Sequence, residues 1–182
     1  MAAHLTTFLK HLWLDADDSR RLVTPAVLKD LTARVETSEQ THTGQIRICI
    51  EATLPMSYLW RVGPERSLQQ VIRERAMMMF GKLGVWDTVH NNGVLIYVLL
   101  AEHAIEVVAD RGIASQISGA QWTELVSHMS EDFRAHSYQN GLTRAIDDVS
   151  SELTRHFPRR PADGLQGSST HINELPDNPV LL

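Results

Sequence analysis

Hydrophobic residues recur along the chain at two different spacings, and these spacings predict helices and strands. Over residues 5–13 and 28–35 they recur every three or four positions, which is typical of the buried face of a helix. Over residues 45–52 they alternate with polar residues, which favours a strand. Residues 93–101 are apolar at nearly every position, as in a central strand that is covered on both faces.

The complete pattern predicts an α/β fold. Thr24-Pro25, the capping box formed by Ser118 and Gln121, and Asn140 mark the starts of three helices. A strand–helix–strand unit favours a parallel pair, and a short hairpin adds an antiparallel neighbour. We therefore expect a three-layer α/β/α sandwich with a small mixed central sheet. The predicted elements are helices over residues 5–13, 24–41, 64–83, 118–133 and 140–157 and strands over 45–52, 93–101 and 104–109.

The length of 182 residues fits one domain, and composition marks its ends. Residues 1–22 hold an amphipathic helix, residues 23–157 form the domain, and residues 158–182 form a tail rich in Pro, Gly, Ser and Asn. We expect this tail to be irregular, although the run over residues 173–181 could dock in a groove. The helix over residues 5–13 could pack on its own domain, on a partner or peripherally on a membrane surface.

Charge and motifs exclude several classes of function. The net charge is -5 and basic residues are scattered, which argues against nucleic-acid binding. The single cysteine, Cys49, lies in a β-branched run and is predicted to be a core residue. No apolar run is long enough to span a membrane and no signal peptide is visible, so the sequence predicts a cytoplasmic protein. No dinucleotide fingerprint is present, and we expect no organic cofactor.

The predicted hairpin brings two polar loops to one end of the sheet. A two-residue turn would pair Ala101 with Ala104, so that Gly93 faces Gly112. Glycine at both positions permits close backbone approach. The side chains that we expect to converge there are Asp87, Asn91, Asn92 and Asp110.

Carboxylate and amide oxygens are the ligands of hard cations such as calcium or magnesium, so this sheet end is a candidate metal site. With two carboxylates its affinity would be weak. Arg111 could bind an anion through its planar guanidinium. The alternative is purely structural, because Asn and Asp also form turns and cap helices.

A second candidate contact lies in a loop between prolines. Trp60 and Arg61 could border a pocket or contact a partner, which we expect to be another protein. The more ordinary interpretation is that Trp60 anchors the loop in the core.

Five short runs, taken in their order, resemble the TPM domain family. They are residues 43–45 (TGQ), 80–87 (FGKLGVWD), 91–98 (NNGVLIYV), 110–113 (DRGI) and 138–142 (YQNGL). The resemblance implies a mixed sheet between helices, calcium binding at this sheet end in some members, and phosphatase activity in others. Many members carry a Gly-Tyr-Gly-Leu-Glu run where this chain continues from Asp110 to Ala114 without that glutamate.

We therefore expect a non-catalytic binding or assembly module with a divalent-cation site at one end of its sheet. The alternative is a metal-assisted, acid phosphatase-like hydrolase of phosphomonoesters. Peripheral membrane association through residues 5–13 is a third hypothesis.

Overall fold

One mixed sheet organises the computed structural model, which describes residues 23–135, 137–159 and 173–182. Within these residues its strands are β1 (Gln45–Glu51), β2 (Gly93–Leu99), β3 (Ala104–Ala109) and β4 (Val180–Leu181). The order across the sheet is β3-β2-β1-β4. β1 is parallel to β2 and β4, and β3 is antiparallel to β2. The predicted helix over residues 5–13 lies outside the described residues.

Helices cover both faces of the sheet, which confirms the predicted α/β/α sandwich. The apolar residues of β1, such as Ile46 and Ile48, pack in one core with the helices over residues 25–38, 119–134 and 138–156. Leu95 and Tyr97 of β2 point to the other face and pack with the helices over residues 56–59 and 68–82. The helices of the described residues are α1 (Pro25–Ser38), α2 (Met56–Leu59), α3 (Leu68–Lys82), α4 (Arg111–Ala114), α5 (Gly119–Arg134) and α6 (Tyr138–His156). None of them has the length and apolar character that crossing a bilayer requires.

Local capping explains where the helices begin. Ser118 and Gln121 form the predicted capping box before α5. A second capping box at Ser67 starts α3 later than the predicted residue 64. α6 begins at Tyr138, so the prediction that Asn140 caps it is wrong.

The hairpin between β2 and β3 has a longer connection than predicted. Leu99 pairs with Ala104, so the predicted pairing of Ala101 with Ala104 is wrong. The chain passes through a 3₁₀ turn at Leu100–Glu102, and His103 then takes a left-handed φ of 49°. Leu100 and Ala101 are apolar and follow directly on the apolar residues of β2. The sequence pattern therefore predicts that β2 continues to residue 101, beyond its actual end at Leu99.

The end of the chain adds a strand that the sequence does not predict. Residues 180–181 form β4 at the edge of β1, within the segment expected to be an irregular tail. The first residues of that segment also pair locally, because Pro158 forms an isolated β-bridge with His42. Residues 160–172 lie outside the described part of the chain.

Candidate functional site

Two polar loops meet at one end of the sheet, and we name this place the loop site (residues 87–93 and 110–112). The N–H of Asp110 donates to the carbonyl of Gly93 at 2.9 Å, and the N–H of Gly112 donates to the carbonyl of Asn91 at 2.8 Å. Gly93 therefore lies opposite Asp110 and not opposite Gly112, because the hairpin register differs from the predicted one. The two loops nevertheless share the same sheet end.

The backbones of the loop site approach each other so closely that only glycine fits at two positions. A Cβ added to Gly112 would lie 2.5 Å from the carbonyl oxygen of Asn91 and 2.6 Å from that of His90. A Cβ added to Gly93 would lie 2.0 Å from the carbonyl oxygen of Val85. Because these neighbours are backbone atoms, they cannot move aside as a flexible side chain would.

The loop before β2 is held in shape by its own hydrogen bonds. The N–H of Asn91 donates to the carbonyl of Thr88 at 3.1 Å, and the N–H of Asn92 donates to Thr88 Oγ1 at 3.1 Å. Asn91 has a φ of 52°, a left-handed conformation that asparagine tolerates better than most residues. The conformation of the loop is therefore set by these bonds and by the left-handed turn at Asn91.

Two side-chain oxygens of the loop site are buried without a hydrogen-bond partner. Asp110 is 8% exposed, and its Oδ1 accepts from the N–H of Arg111 at 2.7 Å while Oδ2 is unpaired. Asn92 is fully buried, and its Nδ2 donates to Thr43 Oγ1 at 3.3 Å while Oδ1 is unpaired. Each such oxygen costs about 1–3 kcal/mol, and such atoms are rare in native proteins. Each is an oxygen of the type that hard cations bind.

The other predicted residues of this site have different surroundings. Arg111 is exposed, and its Nε donates to Asn91 Oδ1 at 3.0 Å, so that amide oxygen already has a donor. Asp87 is exposed at the start of the loop, where its N–H donates to the carbonyl of Gly84 at 2.9 Å. Within the described residues no three His, Cys, Asp or Glu side chains form a metal-binding group. A cation at the loop site would therefore depend on amide and backbone oxygens beside Asp110.

Trp60 and Arg61 lie elsewhere, after the carboxyl end of β1 and away from the loop site. Trp60 is 75% exposed, so the interpretation that it anchors the loop in the core is wrong. The Arg61 guanidinium lies 4.2 Å from the ring centroid of Tyr58 and donates to Glu74 at 3.2 Å. A partner contact through Trp60 stays a prediction, and Trp60 does not share a site with Asp110.

A buried polar cluster at the carboxyl ends of β1 and β2 was not predicted. Arg75 donates to both carboxylate oxygens of Glu51, at 2.9 and 2.5 Å, and the Tyr97 hydroxyl donates to Glu51 at 2.6 Å. Burial is the largest cause that raises the pKa of Tyr97, and the carboxylate of Glu51 raises it further. Burial also raises the pKa of the Cys49 thiol to about 12, which fits an unreactive core residue. These mutual bonds are typical of a structural cluster.

A second buried network at the start of β1 was also missed. Glu39 is 1% exposed, its Oε1 accepts from the N–H of Ile46 at 2.9 Å, and its Oε2 accepts from Gln45 Nε2 at 3.2 Å. Burial raises the pKa of Glu39 to about 7. The signal that could have found both networks is the alternation in β1, where polar residues take every second position and the strand is buried on both faces.

Comparisons with known proteins agree with this fold. The BA42 protein from the psychrophilic bacterium Bizionia argentinensis, solved by NMR, is 24% identical and superposes with a TM-score of 0.69 over 87% of this chain and 94% of that one. At this identity the likeness shows the fold alone. No curated protein matches the chain significantly. A family model described as the TPM domain matches residues 16–152, which is most of the chain. The chain belongs to the TPM domain family.

Proposed function

We propose that this chain is a non-catalytic binding module that holds a divalent cation, calcium or magnesium, at the loop site. The observation that carries the proposal is the pair of buried, unpaired oxygens, Asp110 Oδ2 and Asn92 Oδ1. Hydrogen bonding joins the two segments that carry them, since Asp110 bonds to Gly93, the neighbour of Asn92. The sheet therefore holds together the two backbone segments that carry these oxygens.

The chemistry of these donors favours a hard cation. Calcium and magnesium bind carboxylate, amide carbonyl and backbone carbonyl oxygens, whereas softer metals prefer sulfur or imidazole. The loop site has one buried carboxylate, so it offers little negative charge to balance that of a divalent cation. We therefore expect a dissociation constant of about 0.1–1 mM, in the range of weak calcium sites.

Thermal unfolding with added calcium or magnesium tests this proposal. At 10 mM cation and a dissociation constant of about 1 mM, the native state gains about 1.4 kcal/mol. For a chain of this size the melting temperature should then rise by about 3–6 °C. Asp110→Asn should abolish the rise while keeping an oxygen to cap α4.

Asp147→Asn is the matched control, because it removes one carboxylate charge at an exposed ion pair with Arg34. Its response to calcium should equal that of the wild type. A flat melting temperature in the wild type, or an equal rise in Asp110→Asn, would contradict the proposal.

The alternative is a metal-assisted hydrolase of phosphomonoesters. It would use the same cation to polarise a phosphoryl oxygen, with Arg111 as the anion contact. It predicts that purified protein with calcium or magnesium hydrolyses p-nitrophenyl phosphate and that Asp110→Asn removes this turnover. That result would replace the non-catalytic proposal and leave the cation site in place.

A further inference from the structure

A cavity lies beside the outer edge of the sheet. β3 is an edge strand among the described strands, and α3 and α5 pack against its two faces. The cavity between β3 and α5 has a volume of about 620 Å³, and small-molecule sites span about 300–1,000 Å³. We name it the edge cavity. The lining residues that matter below are Arg73, Val107, Ala109, Ile117, Trp122 and Val126.

The wall of the edge cavity is mostly apolar. Val107 and Ala109 belong to β3, and Ile117 precedes α5. Trp122 and Val126 stand one turn apart on α5, so they share a face of that helix, and both pack against the core while remaining partly exposed. Val107 and Ile117 are only 4% and 6% exposed, which places them deep in the recess. The apolar body of a ligand would be buried between the strand and this helix face.

The edge cavity also contains a cation. Among the described residues that line it, Arg73 is the only charged one. Its Nη1 donates to the carbonyl of Val107 at 2.6 Å and to the Glu106 carboxylate at 3.2 Å. Its Nε and Nη2 donate to no group within the described part of the chain. A guanidinium binds a carboxylate through two parallel N–H groups, and Nε and Nη2 can supply such a pair.

The carboxylate that pairs with Arg73 lies on the other face of the sheet. Glu106 and Val107 are neighbours on β3, so their side chains point to opposite faces. Glu106 accepts from Gln69 and Arg73, and these three residues line a different cavity. Glu106 therefore positions the guanidinium, while an anion in the edge cavity would meet Arg73 and no described carboxylate of the lining.

The geometry favours a small molecule over an added strand or a membrane. A free strand edge can pair with another chain. Here Arg73 already binds the Val107 carbonyl, and a pairing strand would have to displace that bond. A bilayer surface is broad, whereas the apolar side chains of Val107 and Ile117 are recessed. A compact ligand reaches both the recess and the guanidinium.

We propose that the edge cavity binds an apolar small molecule with one carboxylate, a small carboxylic acid whose body packs on Trp122 and Val126. Its carboxylate pairs with Nε and Nη2 of Arg73. This site goes beyond the cation module proposed above and does not depend on it, and its measurements are made without calcium or magnesium.

Two fluorescent probes with nearly the same apolar body test the proposal. Anilinonaphthalene sulfonate carries an anionic head group in place of the carboxylate, and N-phenyl-naphthylamine lacks it. The wild type should bind the sulfonate with a dissociation constant of about 10–100 µM, as expected for a ligand of this size. Arg73→Gln should weaken the sulfonate at least fivefold and the amine less than twofold. Arg66→Gln is the control, because this exposed arginine pairs with Glu74 and does not line the edge cavity.

A variant that reduces the space in the cavity tests the location independently of charge. Gly119 lines the edge cavity, and a Cβ added there would have no neighbour within 4 Å. Gly119→Leu should therefore fold and should weaken both probes at least tenfold. Gly63→Leu is the matched control, because a Cβ at Gly63 also meets nothing within 4 Å and this residue does not line the cavity.

Equal affinity of wild type and Arg73→Gln for the sulfonate would overturn recognition of the anion by Arg73. Equal affinity of wild type and Gly119→Leu would overturn the edge cavity as the site. The wild type gives a test that needs no variant. Saturating sulfonate added to ¹⁵N-labelled protein should shift the amide signals of Val107 and Ser127 and the indole signal of Trp122. Shifts confined to other residues, or the absence of saturable binding, would refute the proposal.

Discussion

The buried carboxylate of Glu39 should make the stability of this protein fall as pH rises. Burial raises the pKa of Glu39 from 4.5 to about 7 in the native state. Because the pKa of Glu39 is raised in the native state, its contribution to stability is fully present below pH 4.5. That contribution is lost as the pH rises through about 7. At about 1.4 kcal/mol per pH unit, the difference corresponds to about 3 kcal/mol. Asp177 acts in the same direction as burial, and Arg159 opposes it.

Glu39→Gln removes this titration. The amide can still accept from Ile46, but its NH₂ then faces the NH₂ of Gln45, which costs about 1–3 kcal/mol at every pH. That offset is constant, so the pH-dependent part can be separated from it. Relative to the variant, the wild type should lose about 2–3 kcal/mol between pH 5 and pH 8, because a part of the total is already lost below pH 5.

Urea unfolding of both proteins at intervals from about pH 5 to 8 measures this difference. The denaturant slope must stay equal in the two proteins, so that the change reports stability and not a different unfolded state. Glu106 and Asp148 also have raised pKa values, but they are present in both proteins and cancel in the comparison. Parallel pH profiles would refute the assignment of this titration to Glu39.

Two further predictions concern packing and charge. Gly112→Ala should lower stability by about 1–3 kcal/mol in thermal unfolding, because its Cβ would lie 2.5 Å from a backbone oxygen. Gly119→Ala is the control, because a Cβ at that position would have no neighbour within 4 Å, and it should change stability by about 1 kcal/mol or less. Glu51→Ala should cost about 3–5 kcal/mol in urea unfolding, because it removes the carboxylate that pairs with the Arg75 side chain, which is only 11% exposed. Glu74→Ala, at an exposed pair, should cost about 1 kcal/mol or less. Equal losses in Gly112→Ala and Gly119→Ala would contradict the packing argument. Equal losses in Glu51→Ala and Glu74→Ala would contradict the charge argument.

The layers of the fold were predictable because the spacing of apolar residues along a helix or strand shows which of its faces is buried. The alternation of Ile46, Ile48 and Ile50 marks a strand with one apolar face, and the apolar run over 93–99 marks its covered neighbour. The intervening helix then requires a parallel pair. Capping at Ser118 was equally visible, because a capping box needs only residues that are adjacent in sequence.

The tail and the hairpin register were not predictable from the same signals. Leu175 contributes to the core as a single residue, and a single residue has no period. Its position depends on Gln45 and Arg47, which are distant in sequence and resemble ordinary surface residues. The sequence predicts the wrong register because Leu100 and Ala101, which belong to the 3₁₀ turn, are apolar like the strand before them.

The loop site was predictable as a location and not as a set of atoms. Polar residues near Gly93 and after β3 indicated which loops would meet, since a hairpin fixes that geometry. Which side-chain oxygens accept hydrogen bonds from neighbouring residues depends on three-dimensional contacts that the sequence does not show. Asn91 bonds to Arg111, whereas Asn92 and Asp110 each keep one oxygen unpaired.

Calcium titration of ¹⁵N-labelled protein, followed by its amide chemical shifts, tests the cation site most directly. We predict saturable shifts at Asn92, Gly93, Asp110 and Arg111 at millimolar calcium, and their loss in Asp110→Asn. Shifts that do not saturate, that arise only at other carboxylates, or that persist in the variant would contradict a cation at the loop site.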